Sequence, residues 1–251
     1  MVPIVFAHRG ASKQAPENTM AAFRKALELG AGGIELDVHL SRDGHIVVTH
    51  DELVNRASNG KGYVKDKTLD ELRLLDFGSW FSPAYANEKI PELEDVLKLI
   101  EGWDGILNIE LKNGPVFYPG LEQAVLDMLS KYNMISRTII SSFNHYSLVE
   151  IRRLNSEIRT APLYVAGIFE PWNYAKKLGA GAIHPLFYNI VPQVMEGCKL
   201  NGIKVHPYTV DEPEYIRAMI AAGVDGIITN VPDIVLKILR EMRGKTYEAG
   251  L

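Results

Sequence analysis

The chain has 251 residues, 47% of them hydrophobic, a length that suits one large barrel or two ordinary domains. Its 27 basic and 31 acidic residues leave a net charge of −4, with no basic run or basic amphipathic helix, which excludes the electrostatic footprint of a nucleic-acid-binding protein. The one cysteine, Cys198, excludes an intramolecular disulfide framework, and no stretch reaches the ~18 apolar residues that span a bilayer.

In chain order, short β-rich apolar runs alternate with amphipathic helical patterns. The first run, from Val2 to Ala7, is too short for a signal-peptide core, so a soluble cytoplasmic protein without membrane insertion is expected. The predicted strands are PIVFAH, GIELDVHL, GILNIELK, RTIISSF, RTAPLYV, GAIHPLF, IKVHPYTV and DGIITNV. Helical patterns lie between them, among them TMAAFRKALELG, PELEDVLKLIEG, LEQAVLDMLSKYN, YSLVEIRRLN and EPEYIRAMIAAG. Gly30, Gly179, Gly202 and Gly223 follow helical stretches and suit left-handed C-caps. Cys198 falls in a helical pattern and reads as a small buried hydrophobe.

Eight strand–helix units in this length predict an α/β fold, a closed (β/α)8 TIM barrel forming a single domain over 1–251. An open doubly wound sheet is the alternative, but the glycine-rich loop it usually carries after its first strand is replaced here by His8-Arg9-Gly10 and Pro16-Glu17-Asn18. One interval breaks the rhythm. The run GHIVVTHD is followed, over about 51–90, by a polar segment and LDELRLLDFGSWF, too long for a loop between barrel elements, so it reads as a small inserted cap.

Active sites of such barrels lie at the C-terminal ends of the strands, and four places there carry chemistry. His8-Arg9 ends the first strand and joins a proton carrier to an anion clamp. Glu35 and Asp37, two apart in GIELDVHL, point to one face, towards the barrel axis if Ile34, Leu36 and Val38 pack outward. Two such carboxylates are costly unless something positive holds them, and a metal ion is the simplest answer. Glu110 and Lys112, again two apart, supply a third oxygen ligand and a cation for a substrate anion, with a structural Glu–Lys pair as the rival reading. His50 offers a second proton carrier across from His8, while His39, His45, His145 and His206 are assigned to packing or surface. Three carboxylates and a phosphodiester carry four negative charges, which a divalent cation, Arg9 and Lys112 balance. All-oxygen ligation favours one hard cation, Mg2+ or Ca2+, with Mn2+ also admissible.

His8-Arg9-Gly10, Ala15-Pro16-Glu17-Asn18-Thr19, Glu35-Leu36-Asp37, His50-Asp51 and Glu110-Leu111-Lys112 together resemble the signature series of the glycerophosphodiester phosphodiesterase family. The resemblance implies a barrel with an insertion after the second strand unit and a divalent metal on Glu35, Asp37 and Glu110. It also implies His8 and His50 as general acid and base, and Arg9 and Lys112 as phosphate-binding residues. Ser141-Ser142-Phe143 resembles a motif whose aromatic lines the pocket, and Tyr208-Thr209-Val210-Asp211 stands where many members have Trp-Thr-Val-Asn. The reaction implied is hydrolysis of a glycerophosphodiester to glycerol 3-phosphate and an alcohol. A phospholipase-type lyase releasing a cyclic phosphate and a non-catalytic glycerophosphodiester-binding protein are the rivals.

Overall fold

A computed structural model describes residues 2–248 of the chain. All eight predicted strands form: β1 (Ile4–His8), β2 (Gly33–Leu40), β4 (Ile106–Leu111), β5 (Thr138–Ser142), β6 (Arg159–Tyr164), β7 (Ala182–Pro185), β8 (Lys204–Val205) and β9 (Gly226–Thr229). They are parallel neighbours in the order β8-β7-β6-β5-β4-β2-β1-β9. Three backbone hydrogen bonds close the seam between the end strands, from Asp225 N to Val205 O, Ile228 N to Pro207 O and Val210 N to Ile228 O, each 3.0 Å. The result is a (β/α)8 barrel, not an open sheet.

The period-two reading of β2 holds. Ile34, Leu36 and Val38 are fully buried in the layer shared with Phe23, Ala26, Val96 and Leu97 of the surrounding helices. Alternate residues point inward, and the interior contains Phe6, Ile139, Ala161, Ala182 and Ile228. Phe6 explains two glycines: a Cβ on Gly33 would collide with its ring, and one on Gly226 would come within 2.8 Å of both Phe6 and His206. The outer helices are α1 (Met20–Leu29), α3 (Leu93–Leu99), α4 (Leu121–Lys131), α5 (His145–Leu154), α6 (Pro171–Leu178), α7 (Pro192–Leu200), α8 (Pro213–Ala222) and α9 (Pro232–Glu248). In α1, Thr19 caps the N-terminus through the Ala22 amide, and Ala22, Phe23 and Ala26 form the buried stripe. Full burial of Phe23 contributes about 1.5–3 kcal/mol of transfer free energy.

Gly30, Gly179 and Gly223 are left-handed C-caps as expected. Gly202 is not: α7 is capped by Asn201 with φ −98°, and Gly202, one residue further on, takes the positive φ of 70°. Cys198 is buried, and burial pushes its thiol up to about 11.

Between β2 and α3 the chain leaves the barrel path. The hairpin partner β3 (Ile46–Val48) pairs antiparallel with β2, and of LDELRLLDFGSWF only Leu69–Arg73 is α-helical (α2). Val47, Val54, Val64, Leu72, Phe77 and Ile90 give this segment an apolar cluster of its own. Tyr85 Oη donates to Gln14 O at 2.9 Å, which ties the segment to the loop after β1. Among the described residues no helix is long and apolar enough to cross a membrane.

Candidate active site

Strand register builds the site. His8 lies opposite Glu35, Glu35 opposite Asn108, and Asp37 opposite Glu110, so inward side chains of β1, β2 and β4 meet at the C-terminal end of the barrel. A cavity of about 200 Å³ opens there, and its lining includes His8, Arg9, Glu35, His50, Asn108, Glu110, Phe143 and Tyr208. Asp37 and Lys112 stand just behind it.

Glu35, Asp37 and Glu110 are buried, and each offers a carboxylate oxygen within 4.8 Å of the other two. This is a donor set that can hold one cation. Asp37 Oδ1 supports the fit: it is buried and lies 3.2 Å from Lys112 Nζ, yet accepts no aligned hydrogen bond. Burial pushes Glu35 well above the usual carboxylate range, helped by the charges of Asp37 and Glu110. Burial raises Glu110 to about 7 against the pull of Lys112. For Asp37, burial is outweighed by Lys112 and Arg9, and its carboxyl is held below the ordinary range. When all three carboxylates are ionised they exceed the two cations Arg9 and Lys112 by one negative charge, which a bound cation could offset.

The backbone of Arg9 is left-handed (φ 57°), and its amide donates to Glu35 Oε2 at 2.8 Å. The Arg9 guanidinium reaches Glu17 Oε1 at 2.9 Å and lies 3.4 Å from Asp37 Oδ2. Asn18, also at positive φ, donates from Nδ2 to Asp37 Oδ2 at 2.8 Å, so the Pro16-Glu17-Asn18 loop orients one of the acids. Lys112 Nζ donates to Glu110 Oε1 at 2.7 Å, so the Glu–Lys pair considered from the sequence is present within the site itself.

Both site histidines have a defined tautomer. His8 Nδ1 donates to Asn230 Oδ1 at 2.7 Å; that oxygen also accepts from Ser12 Oγ, while Asn230 Nδ2 donates to Asp211 Oδ2 at 2.6 Å. His8 Nε2 is left 3.9 Å from Glu35 Oε2. His50 Nδ1 donates to Asp51 Oδ1 at 2.6 Å. Burial, with Arg9, lowers His8 to about 4; burial also lowers His50, against the pull of Asp37 and Asp51. In its neutral form each ring therefore carries its proton on Nδ1 and presents Nε2 as a lone pair.

The other histidines pack or lie at the surface. His39 Nε2 donates to His50 O at 3.1 Å and its Nδ1 accepts from Tyr118 Oη at 2.9 Å, which steadies the His50 backbone. His45 pairs with Glu92, and His145 lies against Tyr174 and Leu163 O. His206 and His184, the latter hidden in an apolar run, form a buried pair 3.1 Å apart. Asn108, Asn230 and Arg56 carry no signal in the sequence, and Asp211 enters there only as the last residue of the Tyr208-Thr209-Val210-Asp211 motif, without a role. Asn230 and Asp211 lie more than 200 positions from His8, and no local pattern announces such a partnership.

A sequence model of the Glycerophosphoryl diester phosphodiesterase family matches residues 8–234. The chain belongs to that family. A glycerophosphodiester phosphodiesterase of Caldanaerobacter subterraneus subsp. tengcongensis is 49% identical over 241 residues, covering 96% of this chain and 99% of the relative. A phosphodiesterase of Oleispira antarctica, solved with the product sn-glycerol-3-phosphate, superimposes with a TM-score of 0.88 at 30% identity, over 95% of this chain and 97% of the other. A glycerophosphodiester phosphodiesterase of Agrobacterium tumefaciens gives a TM-score of 0.82 at 30% identity, over 94% and 99% of the two chains. Membership places the chain among phosphoric diester hydrolases that share this barrel.

Proposed function

We propose that the chain hydrolyses glycerophosphodiesters to glycerol 3-phosphate and an alcohol, with one divalent cation on Glu35, Asp37 and Glu110 and two histidines moving the protons. The observation that carries this reading is the pair of rings on one cavity, each tied through Nδ1, beside three buried carboxylates. Binding alone needs no paired proton carriers. The product held by the Oleispira antarctica phosphodiesterase supports the same substrate class.

An oxygen-only donor set favours Mg2+ or Ca2+, with Mn2+ accommodated. When bound, the cation polarises the phosphoryl oxygens and neutralises charge that builds on them. Arg9 orients the phosphate from the β1 end. Lys112 donates one N–H to Glu110 and lies beside Asp37 as an ion pair, which leaves N–H donors to serve a non-bridging oxygen. Asp51 behind His50 stabilises a protonated ring, whereas the neutral carbonyl of Asn230 stands behind His8. His8 Nε2 therefore takes the proton of the attacking hydroxyl, while His50, once it has taken up a proton on Nε2 with Asp51 offsetting the charge, delivers that proton to the departing alkoxide; each transfer contributes on the order of 10²- to 10⁴-fold. Phe143 and Tyr208, edge to face with centroids 6.0 Å apart, wall the cavity and bear on the organic arms of the diester. Residues 51–90 act as a cap that completes this side of the site.

Glycerophosphocholine incubated with the protein and Mg2+ tests the reading. Release of choline and glycerol 3-phosphate is expected. Binding without release would replace it with a binding protein, and cyclic phosphate as the final product would replace it with a lyase.

A further inference from the structure

We propose that Arg56, supplied by the segment outside the barrel, is a positioning residue that locks His50 and Arg9 in place together by gripping the two carboxylates behind them. The inference rests on the roles just given to His50 and Arg9.

The grip is doubly bidentate. Arg56 Nε and Nη2 donate to Asp51 Oδ2 and Oδ1 at 2.7 and 3.1 Å. Its Nη1 and Nη2 donate to Glu17 Oε2 and Oε1 at 3.0 and 2.7 Å. Each carboxylate has a second engagement inside the site: Asp51 Oδ1 accepts from His50 Nδ1, and Glu17 Oε1 accepts from Arg9 Nη1. A continuous chain therefore runs from His50 through Asp51, Arg56 and Glu17 to Arg9. Its charges alternate, and with His50 neutral they cancel.

The chemistry explains why an arginine stands here. Without Arg56, Asp51 and Glu17 would face each other with uncancelled charge. Asp51 would swing away from His50 Nδ1, freeing the ring to change tautomer, and Glu17 would draw more strongly on Arg9 and pull it from the phosphate. A lysine restores the charge but not four directed N–H bonds in one plane. Exposed ion pairs contribute little to stability, and Arg56 is half exposed, but its role concerns geometry at the two carboxylates, which are far less exposed. The turn bearing Arg56 is pinned by buried Val54, whose amide donates to Gly62 O and whose carbonyl accepts from Ser58 Oγ.

The test is a set of variants read in three ways. Asp51→Asn should lower kcat and Glu17→Gln should raise KM. Arg56→Ala should do both, with a loss of ~10²-fold in kcat/KM, and adding either of the other changes to it should produce little further loss. Arg56→Lys should fall between Ala and the wild type. Affinity for Mn2+ should be unchanged throughout, since the three acids are untouched. In spectra of 15N-histidine-labelled protein, His50 should hold the Nδ1–H tautomer in the wild type and become mixed in Arg56→Ala. Wild-type kinetics and an unmoved His50 signal in Arg56→Ala would overturn the proposal, as would losses that multiply in the double variants. If Arg56→Ala does not fold, wild-type kinetics and tautomer in Arg56→Lys would overturn it. Should the wild type fail to turn over a glycerophosphodiester, the functional reading falls, while the His50 signal still decides the role of Arg56.

Discussion

His8 and Asn230, 222 positions apart, are joined by a 2.7 Å hydrogen bond from the end of the first barrel strand to the residue just after the last. Barrel closure thus fixes the tautomer of a site histidine. The proton on Nδ1 is held by a carbonyl that Ser12 and Asp211 in turn hold in place. Asn230→Ala should therefore reduce kcat by about 10²-fold, the scale of a small misplacement of a reacting group, while circular dichroism stays native. Unchanged kcat would mean that His8 needs no such support.

The unequal partners of the two histidines predict unequal responses to the leaving group. A donor to the departing alkoxide becomes dispensable when the alcohol is acidic. His50→Ala should recover much of its activity on glycerophospho-p-nitrophenol relative to glycerophosphocholine, and His8→Ala should not. Steady-state kinetics on the two substrates decide it; recovery in His8→Ala alone would reverse the assignment.

The buried pair His184 and His206 makes a prediction about stability. Burial lowers His206 from 6.5 to about 4, with Arg159 and Lys204 acting the same way and Asp225 opposing; burial and His206 lower His184 well below its ordinary value. The unfolded chain binds protons that the folded one refuses. The contribution is complete above pH 6.5 and is lost as pH falls towards 4. For His206 it amounts to about 3 kcal/mol. Urea denaturation at two pH values, about 7 and about 5, should show wild-type stability falling more than that of His206→Gln. Equal losses would contradict the account.

Much of this was legible beforehand, for identifiable reasons. Parallel barrel strands are covered on both faces, so all eight read as apolar runs, and polar residues two apart within them, Glu35 with Asp37 and Glu110 with Lys112, stand out as inward functional groups. Turn chemistry was less reliable. Gly202 supplies its positive φ one residue past the α7 cap, and the apolar run after Lys67 holds only one short helix because the rest folds around Phe77 and Ile90. Helix α9 completes the eighth strand–helix unit. Asn230, Arg56 and His184 were illegible as partners because their meaning lies in contacts across the fold: the first closes the barrel onto His8, the second reaches back from the inserted segment, and the third sits in GAIHPLF like any apolar residue.

The central claim is that acids from β2 and β4 share one cation which a phosphate group completes. Equilibrium titration of Mn2+ into the protein, with and without glycerol 3-phosphate, addresses it directly. One ion per chain is expected, bound more tightly when glycerol 3-phosphate is present, because coupling between two ligands of one site is reciprocal. Binding should be weakened in each of Glu35→Ala, Asp37→Asn and Glu110→Gln. Affinity indifferent to glycerol 3-phosphate and unchanged in all three variants would contradict the account.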